Sequence, residues 1–243
     1  RPDGGAEVHR LIEIILAEEH LYLLGCALFV PAIVAGYLAV PGSRRLATLA
    51  GLGVIPAAPF ASFLQETYWS PVRIGGGTWG VEDVLFSFAS GVTVWWAAIL
   101  PIARRLRVDL RLASFLKRYL AIISAIIVVF LALVAAGIDA MTALLAIQLV
   151  IAIAFFALVP DYRAMQISGL ILFPAFYAVY FAVLVVLTSG AVYATWQTGA
   201  LLAVDIFGLP IGEALYALTF AASYPTIVAF SAGVRVAGRG DRS

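Results

Sequence analysis

Stretches of about twenty residues without one charged side chain recur along this chain. A helix needs about 20 apolar residues to cross a hydrocarbon core about 30 Å thick. Such runs are Leu21–Val40, Leu46–Leu64, Val84–Ala103, Tyr119–Ile138, Ala140–Pro160 and Ala214–Val234, and a 41-residue run, Ala164–Val204, precedes the last. The first part of the long run, Gln166–Leu187, is densely apolar. Its second part, Ser189–Val204, carries Ser, Thr, Gln, Trp and Gly, and reads as an interfacial loop or a short re-entrant piece. The pattern predicts an all-α polytopic membrane protein with seven transmembrane helices, against an alternative of eight. With 63% hydrophobic and only 12% charged residues, half the soluble share of about 25%, a soluble globular domain and a disordered chain are excluded. The single cysteine, Cys26, excludes an internal disulfide and a cysteine-based zinc site.

Basic residues favour the cytoplasmic side of membrane proteins. With seven helices, the loops after helices 1, 3 and 5 share a side with the C-terminus, and that side holds 12 of the 15 basic residues. Only Arg1, Arg10 and Arg73 fall on the other side. Eight helices would put the basic C-terminus on the wrong face. The expected topology therefore has the N-terminus outside and the C-terminus cytoplasmic, with the plasma membrane as location. Eleven of the 14 acids fall on the outer side, so carboxylate chemistry is expected towards the outer leaflet.

Residues 1–18 lack the apolar core of a signal peptide. Val8, Leu11, Ile12 and Ile15 recur at helical spacing opposite Glu7, His9, Arg10 and Glu13, which predicts an amphipathic helix lying in the interface. Two later segments look alike: Gly80-Val81-Glu82-Asp83-Val84-Leu85-Phe86 and Pro210-Ile211-Gly212-Glu213-Ala214-Leu215-Tyr216. Each opens a helix with a turn-forming residue, then an acid, then a Leu-aromatic pair, and each follows a Trp-containing, Gly-rich outer loop. They start helices 3 and 7, so the repeats run parallel. The expected organisation is a first repeat over 19–112, a linking helix 4 over 113–139, a second repeat over 140–234 and a cytoplasmic tail over 235–243. The plainer account is that membrane helices often begin with Pro or Gly and an acid near the N-terminal dipole.

Glu82, Asp83 and Glu213 are the leading candidates for chemistry. Acids in the first turn of a membrane helix either cap it in the headgroup layer or face inward and exchange protons. Adjacent on a helix, Glu82 and Asp83 point about 100° apart, so one can face the bundle while the other caps. Glu66, at the outer end of helix 2, is a further candidate. Aromatic residues cluster at the same level. An interfacial belt explains many of them, but Phe63, Trp79, Phe86, Tyr216 and Phe220 are candidates for a pocket wall, and aromatic faces stabilise cations.

Several familiar sites are missing. Gly75-Gly76-Gly77-Thr78-Trp79-Gly80 fits a dinucleotide fingerprint literally, but no βαβ unit surrounds it. The histidines are His9 and His20, both near the N-terminus, which disfavours a histidine metal or haem site. The only lysine, Lys117, stands at the start of helix 4, so a retinal Schiff base deep in the bundle is not expected. No polar file crosses the midplane, which speaks against an ion channel or proton pump.

Taken together, these segments resemble the integral-membrane lycopene (carotenoid) cyclase domain family in a fused two-repeat form. That family carries a Pro-x-Glu-Glu/Asp signature at the start of a helix in each half. Gly80-Val81-Glu82-Asp83 resembles the first signature with Gly in place of Pro. Pro210-Ile211-Gly212-Glu213 resembles the second with Gly212 in place of its first Glu. Phe63-Leu64-Gln65-Glu66 stands where the family has Phe-x-x-Trp-Asp, and His20-Leu21-Tyr22 through Pro31 resembles its first helix. The resemblance spans roughly residues 19 to 230.

What the resemblance implies is carotenoid biosynthesis, by redox-neutral cyclisation of lycopene-type ψ end groups to β rings. A proton adds to the terminal double bond, an internal alkene attacks the cation, and a neighbouring carbon loses a proton. That needs an acid, a base and a dry, cation-tolerant pocket, roles that carboxylates on two related helices could fill. No cofactor or metal is implied. The implied partners are a long polyene and the lipid bilayer, with no nucleic acid; homo-oligomers and other carotenoid enzymes stay open. Two alternatives remain: a non-catalytic carotenoid- or lipid-binding subunit, and a hydratase in which water quenches the same cation.

Overall fold

A computed structural model gives the architecture and describes residues 20–65, 67–196, 205, 206 and 209–236. Residues 1–18, expected as an interfacial helix, Glu66, most of 197–208 and most of the tail 235–243 lie outside the described residues. Among the described residues, seven helices are long and apolar enough to cross a membrane: α1 Leu21–Ala39, α2 Pro41–Leu64, α3 Val81–Arg105, α4 Leu112–Ala135, α5 Ala140–Leu158, α6 Pro160–Leu187 and α7 Ile211–Ala232. Length and apolarity make this an all-α, multi-pass membrane protein. The long uncharged run breaks at the expected place. Helix α6 ends at Leu187, where Ser189 and Gly190 adopt positive φ values of 50° and 83°, and a short 3-10 turn, Ala191–Thr195, follows.

Small pairings between loops show which helix ends lie together. Strand β1 (Leu106–Arg107), after α3, pairs antiparallel with β4 (Arg235–Val236), after α7. Between them in the chain, β2 (Asp205–Ile206) pairs with β3 (Leu209–Pro210) just ahead of α7. At the opposite end of the bundle, Trp69 in the α2–α3 loop bridges Trp196 in the α6–α7 loop. The ends of α3 thus sit beside the matching ends of α7.

Helices α3 and α7 form the middle of the bundle. Their spans are 72% and 67% buried within the protein, against 11% to 33% for the other five, so these two carry the core and the rest face lipid on one side. Helix α3 packs on α1, α2 and α6, while α7 packs on α4, α5 and α6, and the two also meet each other. Trp95 of α3, Phe173 of α6 and Val228 of α7 are fully enclosed where these helices meet.

The two halves use the same local devices. A Val-Pro-x-x-Arg turn joins α1 to α2 (Val40 to Arg44) and α5 to α6 (Val159 to Arg163). In both, the arginine Nε donates to a carbonyl of the preceding helix: Arg44 to Tyr37 O at 2.7 Å, Arg163 to Phe156 O at 2.8 Å. Where α2 crosses α3, a Cβ on Gly91 would lie 2.6 Å from Ala50 O. Where α6 crosses α7, one on Gly169 would lie 2.7 Å from Ala221 O. Small residues at both crossings let the backbones approach closely. The prolines act unequally. Pro56 and Pro59 turn Ile55–Phe60 of α2 into a 3-10 segment, since proline removes the donor an α-helix needs, whereas Pro174 and Pro225 sit within continuous α-helix.

Candidate functional site

The start of α3 is an ion pair locked in place. Asp83 occupies the third helical position, and its Oδ2 accepts from the Gly80 backbone N–H at 2.7 Å, half of a capping box. The same carboxylate takes Arg73 in two-point contact, Nε to Oδ2 at 2.7 Å and Nη2 to Oδ1 at 3.1 Å, and Tyr22 Oη donates to Oδ1 at 3.0 Å. Both charged side chains are almost fully buried. The Arg73 guanidinium also lies over the rings of Tyr22 and Trp69, at 5.9 and 5.7 Å. Glu82 points the other way, off the cavity described below. It is wholly buried, its Oε1 accepts from the Ile74 N–H at 2.7 Å, and its Oε2 has no partner. The two acids thereby hold the 71–80 loop against the helix.

The start of α7 is built from the same positions with different chemistry. Glu213 stands at the helical position that Asp83 holds, but the residue before the helix is Pro210, which has no N–H to cap. Glu213 instead receives hydroxyls and an indole. Tyr68 Oη donates to Oε1 at 3.1 Å, Trp196 Nε1 to Oε1 at 3.3 Å, and Tyr177 Oη to Oε2 at 2.5 Å. Among the described residues no cation pairs with it. Tyr68 is 2% exposed. Burial and the neighbouring Glu213 hold its phenol above the usual tyrosine range, so it stays a hydrogen-bond donor.

The residue before Glu213 is a glycine for a steric reason. A Cβ on it would lie 2.3 Å from Tyr68 Oη. The room a longer side chain would need is filled by the tyrosine that reaches Glu213.

Glu213 opens on a cavity of about 450 Å³, inside the range of small-molecule sites. Asp83, Phe86, Tyr216 and Phe220 line it too, as do Tyr177 and Trp196. Along α7 the rings of Tyr216, Phe220 and Tyr224 stack one turn apart, with centroids 5.2 and 5.1 Å apart and planes within 11° and 15°. The result is one continuous aromatic wall running down from the acid. Two sequence candidates stand apart from it. Phe63 stacks on Phe60, meets Phe130 edge-on and is 41% exposed, and Trp79 sits on the loop between α2 and α3, 48% exposed. Glu66 lies outside the described residues.

Five residues at these sites carry more of the geometry than the sequence suggested. Tyr68, Trp196 and Tyr177 carry no mark in the sequence that separates them from the chain's other aromatic residues, and Tyr22 stands in the segment that reads as the first helix. Arg73 had a usable signal, as the single cation on the acid-rich side between α2 and α3. A search of protein-family models, of curated proteins and of solved structures finds no match to this chain.

Proposed function

We propose that this protein isomerises the ψ end group of a lycopene-type polyene to a β ring within the membrane, Glu213 being the group that exchanges the proton. The observation that carries this reading is a carboxyl with three neutral donors and no paired cation, set at the head of an aromatic cavity. The Glu213 carboxylic acid gives its proton to the terminal double bond. The tertiary cation is attacked by the internal alkene, closing the ring and moving the cation into it. Loss of a proton from the adjacent carbon, returned to the Glu213 carboxylate, leaves a ring double bond and an isomer of the substrate. Tyr216, Phe220 and Phe86 supply aromatic faces to the cation and keep water from quenching it. Tyr68, Tyr177 and Trp196 hold the carboxyl by hydrogen bonds during both transfers. Asp83, neutralised by Arg73, and Glu82, turned away from the cavity, anchor the loop rather than move protons.

The matched turns and helix crossings support a duplicated three-helix unit joined by α4. The charge distribution supports an outside N-terminus, a cytoplasmic C-terminus and a plasma-membrane location.

Expression in lycopene-accumulating cells tests the reading. The pigment is expected to move to γ- or β-carotene, and Glu213→Gln to abolish the change. Unaltered lycopene beside abundant, membrane-inserted protein overturns it. A second reading, a polyene-binding subunit without catalysis, draws on the filled space at Gly212, which leaves one cavity carboxyl free of a cation where the resembled signature has two acids. Co-purified pigment of unchanged mass favours that reading, and pigment heavier by one water indicates a hydratase.

A further inference from the structure

Contacts between elements cross the cavity at both ends of the helices. Above, Trp69 and Trp196 bridge the two loops, Ser70 N donates to Thr195 O at 2.7 Å, and the indole rings lie 6.4 Å apart. Below, the hydroxyls of Tyr119 and Tyr224 are 3.1 Å apart, and Tyr224 Oη donates to Ala50 O at 2.6 Å. Gly53 fits between these rings, where a Cβ would lie 2.5 Å from Tyr119 Oη and 2.7 Å from Tyr224 Oη. That knot joins α2, α4 and α7. From Glu213 at the top to Ile227 at the bottom, the lining stripe of α7 covers about 20 Å, most of a hydrocarbon core about 30 Å thick.

One side is built differently. Helices α2 and α4 both line the cavity, yet α2 packs chiefly on α3, and α4 chiefly on α5 and α7. The pair meet at the Gly53–Tyr119 knot and again where Phe60 and Phe63 pack on Phe130. Between those levels α2 is the 3-10 segment Ile55–Phe60, whose small or clipped side chains Pro56 and Ala57 line the cavity, as do Ile123 and Ile127 of α4. Pro56 and Ala57 line the cavity and are themselves exposed.

We infer that the slot between α2 and α4 is a lateral doorway through which a lipid-dissolved polyene passes its end group from the bilayer to Glu213, the rest of the chain staying among the lipid tails. This rests on the reading of the cavity as a polyene site. A chain longer than the cavity then has somewhere to go, and the crossings above and below stay in place.

The test uses the full chain in phospholipid nanodiscs, with cis-parinaric acid as the polyene probe and energy transfer from the protein's tryptophans as the signal, since Trp69 and Trp196 line the cavity. The variant Ala57→Phe is expected to slow probe uptake at least tenfold. Ile74→Phe, in the loop between α2 and α3 and off the cavity lining, is expected to leave the rate within twofold. Equal slowing by both, or by neither, overturns the doorway. Because a bulky variant could misfold, Ala57→Cys with Ile123→Cys gives a second measurement on one preparation; the native thiol, Cys26, is buried. Bridging the pair with a bifunctional methanethiosulfonate is expected to stop uptake, and dithiothreitol to restore it. Uptake unaffected by the bridge overturns the inference. Probe binding needs no turnover: uptake that the bridge blocks, beside unchanged lycopene in cells, would leave the doorway standing and remove the cyclase.

Discussion

The first turns of α3 and α7 place a carboxyl at the same helical position and use it in opposite ways. At α3 the preceding residue is Gly80, whose N–H binds Asp83, and Arg73 completes the pair. At α7 the preceding residue is Pro210, which offers no N–H, and no arginine reaches Glu213 among the described residues. A missing backbone donor and a missing cation leave the second carboxyl to Tyr68, Tyr177 and Trp196. One turn anchors a loop, the other holds a carboxyl against a cavity. The lesson is that two similar motifs differ less in their acids than in what surrounds them.

The largest expected effect breaks the anchored turn. Arg73→Ala leaves Asp83 buried without its cation, and removing one partner of a buried pair costs about 3–5 kcal/mol. Thermal unfolding in detergent measures it. Restoring neutrality with Arg73→Met and Asp83→Asn together should recover most of the loss, because the asparagine oxygen still accepts from Gly80. The contrast is Glu213→Gln. It removes the exchangeable proton and has no ion pair to break, so stability should move by about 1 kcal/mol or less, the scale of one hydrogen bond, while product formation disappears. Equal destabilisation by Arg73→Ala and Glu213→Gln would erase the distinction between the two turns.

Most of the fold was legible because it rests on a local property. Seven uncharged runs mark seven helices, and the polar second part of the long run marks the end of α6 near Leu187. The positions of Glu82, Asp83 and Glu213 in first turns were legible for the same reason. Their partners were not. Asp83 meets Tyr22 from α1, and Glu213 meets Tyr68 from a loop and Tyr177 from α6. No local periodicity records which distant hydroxyl arrives. Phe63 and Trp79 show the converse, since lying at the level of the acids put them among the candidates, and the packing of α2 and of the loop between α2 and α3 turns them elsewhere.

A middle-sized effect sharpens the comparison at Gly212. Gly212→Ala puts a methyl 2.3 Å from Tyr68 Oη, so the ring must swing off Glu213. Overpacking of this kind costs about 1–3 kcal/mol. Product formation should fall while the Tyr177 bond keeps Glu213 in place, and the Gly212→Ala/Tyr68→Ala double variant should regain stability. Full stability in Gly212→Ala alone would show that Tyr68 is free to move and does not define the site.

The smallest effect isolates a single donor. Tyr68→Phe removes one hydrogen bond to Glu213, about 1 kcal/mol, and leaves Tyr177 and Trp196 in place. Its pH dependence carries more information than its size. The folded state holds the Tyr68 phenol above the ordinary tyrosine value, which is about 10. Stability from that neutral phenol is therefore fully present below about pH 10 and declines above it, as the unfolded chain gains by ionising first. Wild type should lose stability relative to Tyr68→Phe only on the alkaline side of that value. Parallel curves across the whole range would mean that Tyr68 titrates as it does in water, and the hydroxyl at the head of the cavity would then be wet rather than enclosed.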